Sequence, residues 1–280
     1  MKIVEPRTLS GFMELPPRKQ VQFDAMRTLL YNTFSLYGFT PLDTPLLESS
    51  EVLLAKAGGE TEKQVYRFTR GGSDMTMRFD LTVPLARYVA ANYGQLAFPF
   101  RRFQFGKVYR GERAQRGRFR EFYQADIDII GDGSLGIINE AEIPSVIYKC
   151  FKALGLNRFV IRMNNRKILS GLFEILGIAD RAEDIMRAVD KLDKIGTDKT
   201  REALVDELGV ARETADELLG LLTQREDPRG ALEKYSGANA ALDAGAAELG
   251  EVVRYMSAFG VPQSHYKLDL SIARGLDYYT

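Results

Sequence analysis

The stretch FRRFQFGKVYRGERAQRGRFREFYQADIDIIG, Phe100 to Gly131, decides the fold. FRRFQFGKVYR alternates apolar and polar residues with period two, and REFYQADIDIIG does so again. Between them, five arginines and no lysine crowd the eleven residues from Arg110 to Arg120. Two alternating runs joined by roughly ten polar residues predict an antiparallel hairpin with a long connection. Successive strand side chains point to opposite faces, so Phe122, Gln124, Asp126, Asp128 and Ile130 share one face. Glu121, Tyr123, Ala125, Ile127 and Ile129 take the other, which is mostly apolar and is expected to pack on the core.

The first face puts a ring, an amide and two acids in a row. A buried carboxylate without a partner costs roughly several kcal/mol or titrates instead. Arg110, Arg113, Arg118 and Arg120 are the expected partners, one strand away. One reading is an internal salt-bridge network on a solvated face. The other is a pocket that grips phosphate through guanidinium forks and takes a cationic or donor ligand through Gln124 and the acids. Arginine meets phosphate bidentately where lysine cannot, and the absence of lysine from this loop favours phosphate.

Working outward, Phe23, Met26, Leu29, Leu30, Phe34 and Tyr37 recur at helical spacing from Gln22 to Tyr37, and Gly38 ends that helix. GFTPLDTPLLESS reads as extended chain. Two glycine pairs bracket a short strand at Val65–Phe68, and MTMRF makes another. In LTVPLARYVAAN a proline stands near a helix start with Thr82 as the predicted N-cap. Arg78, Asp80 and Thr82 read, on their own, as a turn and a cap. Glu140–Leu154 predicts a helix and RFVIRMNN a strand.

The text then changes. Residues 167–250 become short Ala-, Leu-, Asp- and Glu-rich helical segments without strand pattern, before YKLDLSIARGLDYYT returns to alternation. The expected division is therefore a core at 1–166, a helical insertion at 167–250, and a return to the core at 251–280.

The chain has 280 residues, with 38 lysines and arginines balanced by 38 acids, so no global field draws it to nucleic acid or membrane. Any phosphate binding must come from local patches. A single cysteine, Cys150, excludes an internal disulfide, and its apolar surroundings predict burial. The single histidine, His265, has no neighbours for a metal site or a catalytic triad, so no protein metal site is assigned. No run approaches a membrane span and the N-terminus lacks a signal-peptide core, which predicts a soluble, cytoplasmic protein.

Taken together, these segments resemble the histidyl-tRNA synthetases, a family of class II aminoacyl-tRNA synthetases. YRGERAQRGRFREFYQADIDIIG is similar to their motif 2, ARGLDYYT to their histidine-specific motif, and LLYNTFSLYGFTPLDTPLLESSEVL to motif 1, which builds the dimer interface. MRFDLTVPLARYVA, MNNRKILSGLFEILGI and VDKLDKIG match as well.

The resemblance implies an α+β fold, an antiparallel sheet flanked by helices with a helical insertion. It implies an ATP-dependent, AMP-forming ligase that activates L-histidine and charges tRNA(His), working as a homodimer with Mg2+ on the ATP phosphates. It implies that Arg110 holds the ATP α-phosphate and the histidine carboxylate, while Glu112, Arg118 and Phe122 contact ATP. Asp80, Thr82 and Gln124 would take the histidine ammonium group. Asp128 and Tyr279 would read the imidazole beside Tyr278, and Arg274 would neutralise charge at the α-phosphate. Motif 3 and the anticodon-binding domain are not in the sequence, so an incomplete catalytic domain is expected. The alternative is the regulatory subunit of ATP phosphoribosyltransferase, a non-catalytic histidine-binding relative.

Overall fold

A computed structural model describes residues 4–55, 62–224 and 228–272. The chain divides by its internal contacts into two compact units, Met1–Leu135 and Gly136–Thr280. This division does not coincide with the compositional changes at 166/167 and 250/251.

The first unit begins with α1 (Pro17–Leu36), started by proline at N1. It ends in a Schellman motif: the Phe39 N–H donates to Phe34 O and the Gly38 N–H to Ser35 O, with Gly38 at φ 74°. Next come β1 (Thr40–Pro41), β2 (Leu47–Ser49), α2 (Ser50–Leu53), β3 (Arg67–Arg70) and β4 (Ser73–Met77). Strands β2, β4 and β3 form an antiparallel sheet in that order. Gly71 and Gly72, at φ 58° and 80°, make the two-residue turn between β3 and β4. That turn lets the strands run up to the glycines, so β3 lies later than the expected Val65–Phe68. The other glycine pair, at 58 and 59, is outside the described residues.

Helix α3 (Thr82–Asn92) precedes the hairpin, whose strands are β5 (Phe100–Tyr109) and β6 (Glu121–Ile130). Their register pairs Arg102 with Asp128, Gln104 with Asp126, Gly106 with Gln124 and Val108 with Phe122. The connection is itself folded, since Gln115 and Arg118 exchange both backbone hydrogen bonds around Gly117, which has φ 81°. Strand β1 adds to the other edge of β5 in parallel. One hairpin face packs under α1, where the rings of Tyr31 and Phe34 lie 4.8 Å and 5.6 Å from Phe103. Phe103 is buried, but Tyr123 and Ala125 on the same face are exposed, because α1 itself buries only Phe34.

Gly106 is required by this packing. A Cβ there would lie 2.5 Å from Arg78 Nη2 and 2.9 Å from Leu81 Cδ2. Arg78 cannot swing aside freely, being buried and donating to the carbonyls of Lys107 and Thr44. Gly106→Val is therefore expected to destabilise the fold by about 2–4 kcal/mol, measured by urea unfolding. A loss under about 0.5 kcal/mol, the range of an indifferent surface change, would contradict it.

The second unit holds α4 (Ile138–Ala153), β7 (Ile161–Met163), α5 (Arg166–Ile175), α6 (Ala182–Val189), α7 (Leu192–Glu202), α8 (Arg212–Leu222), α9 (Arg229–Leu232), α10 (Ala240–Ala258) and β8 (Tyr266–Leu268). Strands β7 and β8 pair in parallel although the helices come between them in sequence. Apolar residues of those helices and of the segment between α7 and α8, including Ile168, Leu172, Ile185, Leu204, Leu218 and Leu242, form one core with Leu268 and Leu270. The composition boundary at 250/251 falls inside α10. Cys150 is buried, and burial pushes its thiol up to about 11, so it is an inert packing residue. His265 packs edge-on against Tyr148 and Phe159.

Candidate functional site

The polar face of the hairpin is where the singled-out residues meet. Strand parity puts Gln124, Asp126 and Asp128 in a row on β6, and the register sets Gly106, Gln104 and Arg102 opposite them. The acids face a strand arginine as well as the expected Arg110: the charges of Arg110 and Arg102 both act on Asp80 and Asp126, and Asp128 is ion-paired with Arg102. The Arg102 guanidinium is fully buried, lies 2.7 Å from Asp128 Oδ2, and donates to Leu81 O at 3.1 Å. Arg102 therefore joins the site as a residue the sequence reading missed. A signal for it exists, since Arg102 has the parity of Gln104 and Gly106, but using it requires the register.

Asp80 arrives from the start of α3. Its Oδ1 accepts from the Val83 N–H at 3.2 Å, so Asp80 makes the cap bond expected of Thr82, which is the first helical residue instead. A carboxylate two residues before the helix reaches the free N–H groups of its first turn. Asp80 Oδ2 is buried and has no hydrogen-bond partner among the described residues, and the same holds for Gln124 Oε1. Burial pushes the Asp80 carboxyl up to about 6 against the Val83 hydrogen bond and the charges of Arg110 and Arg102. Burial likewise raises Asp126 to about 6, Arg102 and Arg110 opposing and Asp128 adding to the shift.

Arg110 follows β5. Its Nε donates to Phe79 O at 3.1 Å, and its guanidinium lies over the Phe122 ring, 5.1 Å from the centroid. It thus stands between the Asp80 turn and the β6 face. Arg118 and Glu112 pair with each other at 3.2 Å in the exposed connection, and Arg120 donates to Glu112 O at 3.0 Å. Thr82 is half-buried beside Asp80 in sequence. Arg274, Tyr278 and Tyr279 lie outside the described residues.

Chemically, this face offers two buried acceptor atoms without donors, one carboxylate held by a buried guanidinium, and one arginine lying over an aromatic ring. Such acceptors fit a ligand that brings N–H donors or positive charge. A cavity of about 180 Å³ in the second unit is lined largely by apolar residues such as Ile168, Leu232, Leu242 and Leu249, and contains none of these groups.

The raised Asp80 has a pH consequence. Its folded value of about 6 lies above the ordinary carboxylate range, so its contribution to stability is present at acid pH and disappears as pH rises through about 6. A cationic ligand needs the ionised form, so its affinity should rise over roughly pH 5 to 7. Carbon-13 NMR of the Asp80 carboxyl should show a midpoint near 6; a midpoint at roughly 4 or below would overturn this.

The family model for histidyl-tRNA synthetase matches residues 11–280. The chain is similar to the histidine–tRNA ligase of Clostridium tetani, 52% identical over 281 residues, covering 99% of this chain and 64% of that protein. It is 46% identical over 306 residues to the histidine–tRNA ligase of Xanthomonas oryzae pv. oryzae, covering 99% of this chain and 65% of the relative. The crystal structure of histidyl-tRNA synthetase from Nostoc sp. PCC 7120 superposes with a TM-score of 0.87 at 34% identity, covering 99% of this chain and 64% of that one. The fold is also that of an ATP phosphoribosyltransferase regulatory subunit/histidyl-tRNA synthetase from Bacillus halodurans, with a TM-score of 0.82 at 24% identity. The expected α+β class is the class of these neighbours. The chain spans a little under two thirds of the Clostridium relative's length.

Proposed function

The chain belongs to the histidyl-tRNA synthetase family, and from that premise we propose that the protein containing it activates L-histidine with ATP and passes the histidyl group to tRNA(His). The observation that carries this reading is the pair of buried acceptors, Asp80 Oδ2 and Gln124 Oε1, without donors on the face that also holds Asp128 and Arg110. An α-ammonium group supplies the donors these atoms lack. Asp128, held by Arg102, then accepts from an imidazole N–H at the far end of the row.

In the proposed reaction a histidine carboxylate oxygen attacks the α-phosphorus of ATP. The bond to the β-phosphate bridging oxygen breaks, and histidyl-adenylate and pyrophosphate form. Arg110 aligns the two anions and stabilises the charge that spreads between them, and Arg274 is proposed to neutralise charge growing at the α-phosphate. Glu112 and Arg118 release one another as ATP enters, Arg118 turning to the terminal phosphate, and Phe122 offers its ring to the adenine. Thr82 adds a hydroxyl beside the ammonium. Tyr278 and Tyr279 complete the imidazole site. Mg2+ enters on the ATP phosphates, which use such ions with few protein ligands. Arg113 and Arg116, exposed in the connection, are proposed to face tRNA.

We keep residues 167–250 as a helical insertion, a reading supported by the pairing of β7 with β8 around it. Helix α1 leaves Val21, Met26, Tyr31 and Leu36 exposed, and a second copy of the chain is the proposed cover.

Histidine-dependent ATP–pyrophosphate exchange by the full-length protein is the test. Exchange with histidine alone among the amino acids supports the reading. Histidine binding without exchange favours a regulatory relative, and neither binding nor exchange removes the proposal.

A further inference from the structure

One acid of the polar face has no task in the reaction above. Asp126 stands on β6 between Gln124 and Asp128, two residues from each, and strand parity turns all three to the same side. It is half-buried, and among the described residues its carboxylate makes no hydrogen bond or ion pair. The donors around it are committed elsewhere. Gln104, its cross-strand partner, is buried and donates through Nε2 to Asp43 Oδ1 at 2.9 Å and to Thr44 Oγ1 at 3.1 Å. Arg102 Nη2 serves Asp128 and Leu81 O, and Arg110 Nε serves Phe79 O.

Asp126 does not stand alone. Its charge acts on Asp80, which is 1% exposed and whose Oδ2 has no donor among the described residues. Gln124 Oε1, on the same strand face, has none either. Three acceptor groups therefore share a shortage of donors, and two of them are carboxylates. Arg102 and Arg110 oppose the cost of burying those carboxylates, yet burial still pushes both up to about 6, so the two guanidiniums do not meet the need.

An ammonium group carries three N–H donors and a full positive charge. Asp80 Oδ2 and Gln124 Oε1 accept two of the three and bring one counter-charge, which the Val83 N–H already shares through Oδ1. A hydroxyl such as that of Thr82 can share a hydrogen bond but adds no charge. We propose that Asp126 is a substrate-binding residue that completes the site for the α-ammonium group, its carboxylate accepting the third N–H and supplying the second negative charge. This rests on the proposed function, which brings histidine to this face, and adds to it the choice of an α-amino acid over a ligand with the same ring and carboxylate. Arg110, whose charge reaches both Asp80 and Asp126, takes the carboxylate borne by the same α-carbon. Ring recognition stays with Asp128.

The experiment is histidine-dependent pyrophosphate exchange by the full-length protein, with imidazolepropionate as a competing inhibitor. That compound has the ring and carboxylate of histidine but no ammonium group. Asp126→Asn should raise KM for histidine about tenfold or more, the scale of a hydrogen bond to a charged group, with KM for ATP within about twofold. Imidazolepropionate should inhibit the variant at least as well as wild type, since it loses no bond and meets one negative charge fewer. Asp126→Glu keeps the charge and should recover part of the loss, whereas Asp128→Asn should weaken histidine and the inhibitor alike. The urea midpoint of Asp126→Asn at neutral pH should equal or exceed that of wild type, because the fold draws no hydrogen bond from this carboxylate. An unchanged KM for histidine, or an inhibitor weakened in parallel with histidine, would overturn the proposal. A urea midpoint well below wild type would also overturn it, by assigning Asp126 to the fold. A wild-type protein that neither binds histidine nor exchanges would remove the reading beneath, and this proposal with it; an active wild type with an indifferent Asp126→Asn would remove this proposal alone.

Discussion

Arg102→Met is expected to lower stability by about 3–5 kcal/mol and to abolish histidine activation, the first because it strands a carboxylate in the interior. Arg102 is fully buried, and Asp128, 8% exposed, lies 2.7 Å away across the register. The same guanidinium opposes the burial-driven rise at Asp80 and Asp126. With it gone, three acids share one poorly solvated face and can remain there only by taking up protons. Urea unfolding of the variant should show the loss, and the deficit should shrink toward acid pH as the acids protonate.

The companion variant separates stability from function. Replacing both partners, Arg102→Met with Asp128→Leu, removes the stranded charge and should recover most of the lost stability, since an apolar pair of similar volume often matches a buried ion pair. It should remain inactive, because the variant lacks the carboxylate proposed to read the imidazole. A single variant within about 1 kcal/mol of wild type, the scale of an exposed pair, would show that Arg102 is not holding Asp128 in place.

Arg110→Ala is expected to lower the exchange rate by about a thousandfold or more while leaving the fold nearly intact. Among the described residues the Arg110 side chain makes one hydrogen bond, to Phe79 O, and lies over Phe122. These contacts orient it and contribute little net stability. Its proposed task arises only when two anions approach each other at the α-phosphorus. Arg110→Lys should rescue poorly, because an ammonium group cannot offer two parallel donors in one plane. Thermal unfolding and pyrophosphate exchange on the same preparations check both halves. Activity within about tenfold of wild type would move the transition-state role elsewhere.

Much of this site is legible in the order of the amino acids alone. Period-two alternation on both sides of the arginine-rich connection announces the hairpin, and parity puts Gln124 and Asp128 on one face. Gly38 places the C-terminal end of α1 and a proline the start of α3, while α1 begins at Pro17, earlier than the Gln22 at which the apolar spacing starts. The arginine partner of Asp128 is not legible in the same way. Loop arginines are conspicuous in sequence, whereas Arg102 sits in an ordinary-looking strand, and one residue of slippage would turn it to the other face. The cap of α3 differs from expectation for a related reason. Thr82 is a good capping residue by type, but Asp80 reaches the Val83 N–H and Thr82 enters the helix. That Gln104 spends its amide on Asp43 and Thr44 and not on Asp126 cannot be read at all, since the residues are distant along the chain.

The sequence by itself determined the hairpin, the composition of its polar face and the family, because strand parity and local motifs depend only on covalent geometry and neighbouring residues. The tertiary structure decided which charges meet. Pairing Arg102 with Asp128 needs the register of two strands, leaving Asp80 Oδ2 and Gln124 Oε1 without donors needs their burial, and turning the Gln104 amide to Asp43 and Thr44 needs the chain after β1 to lie beside β5. Each depends on bringing together residues far apart in sequence, which happens only once the chain has surrendered its conformational freedom in folding.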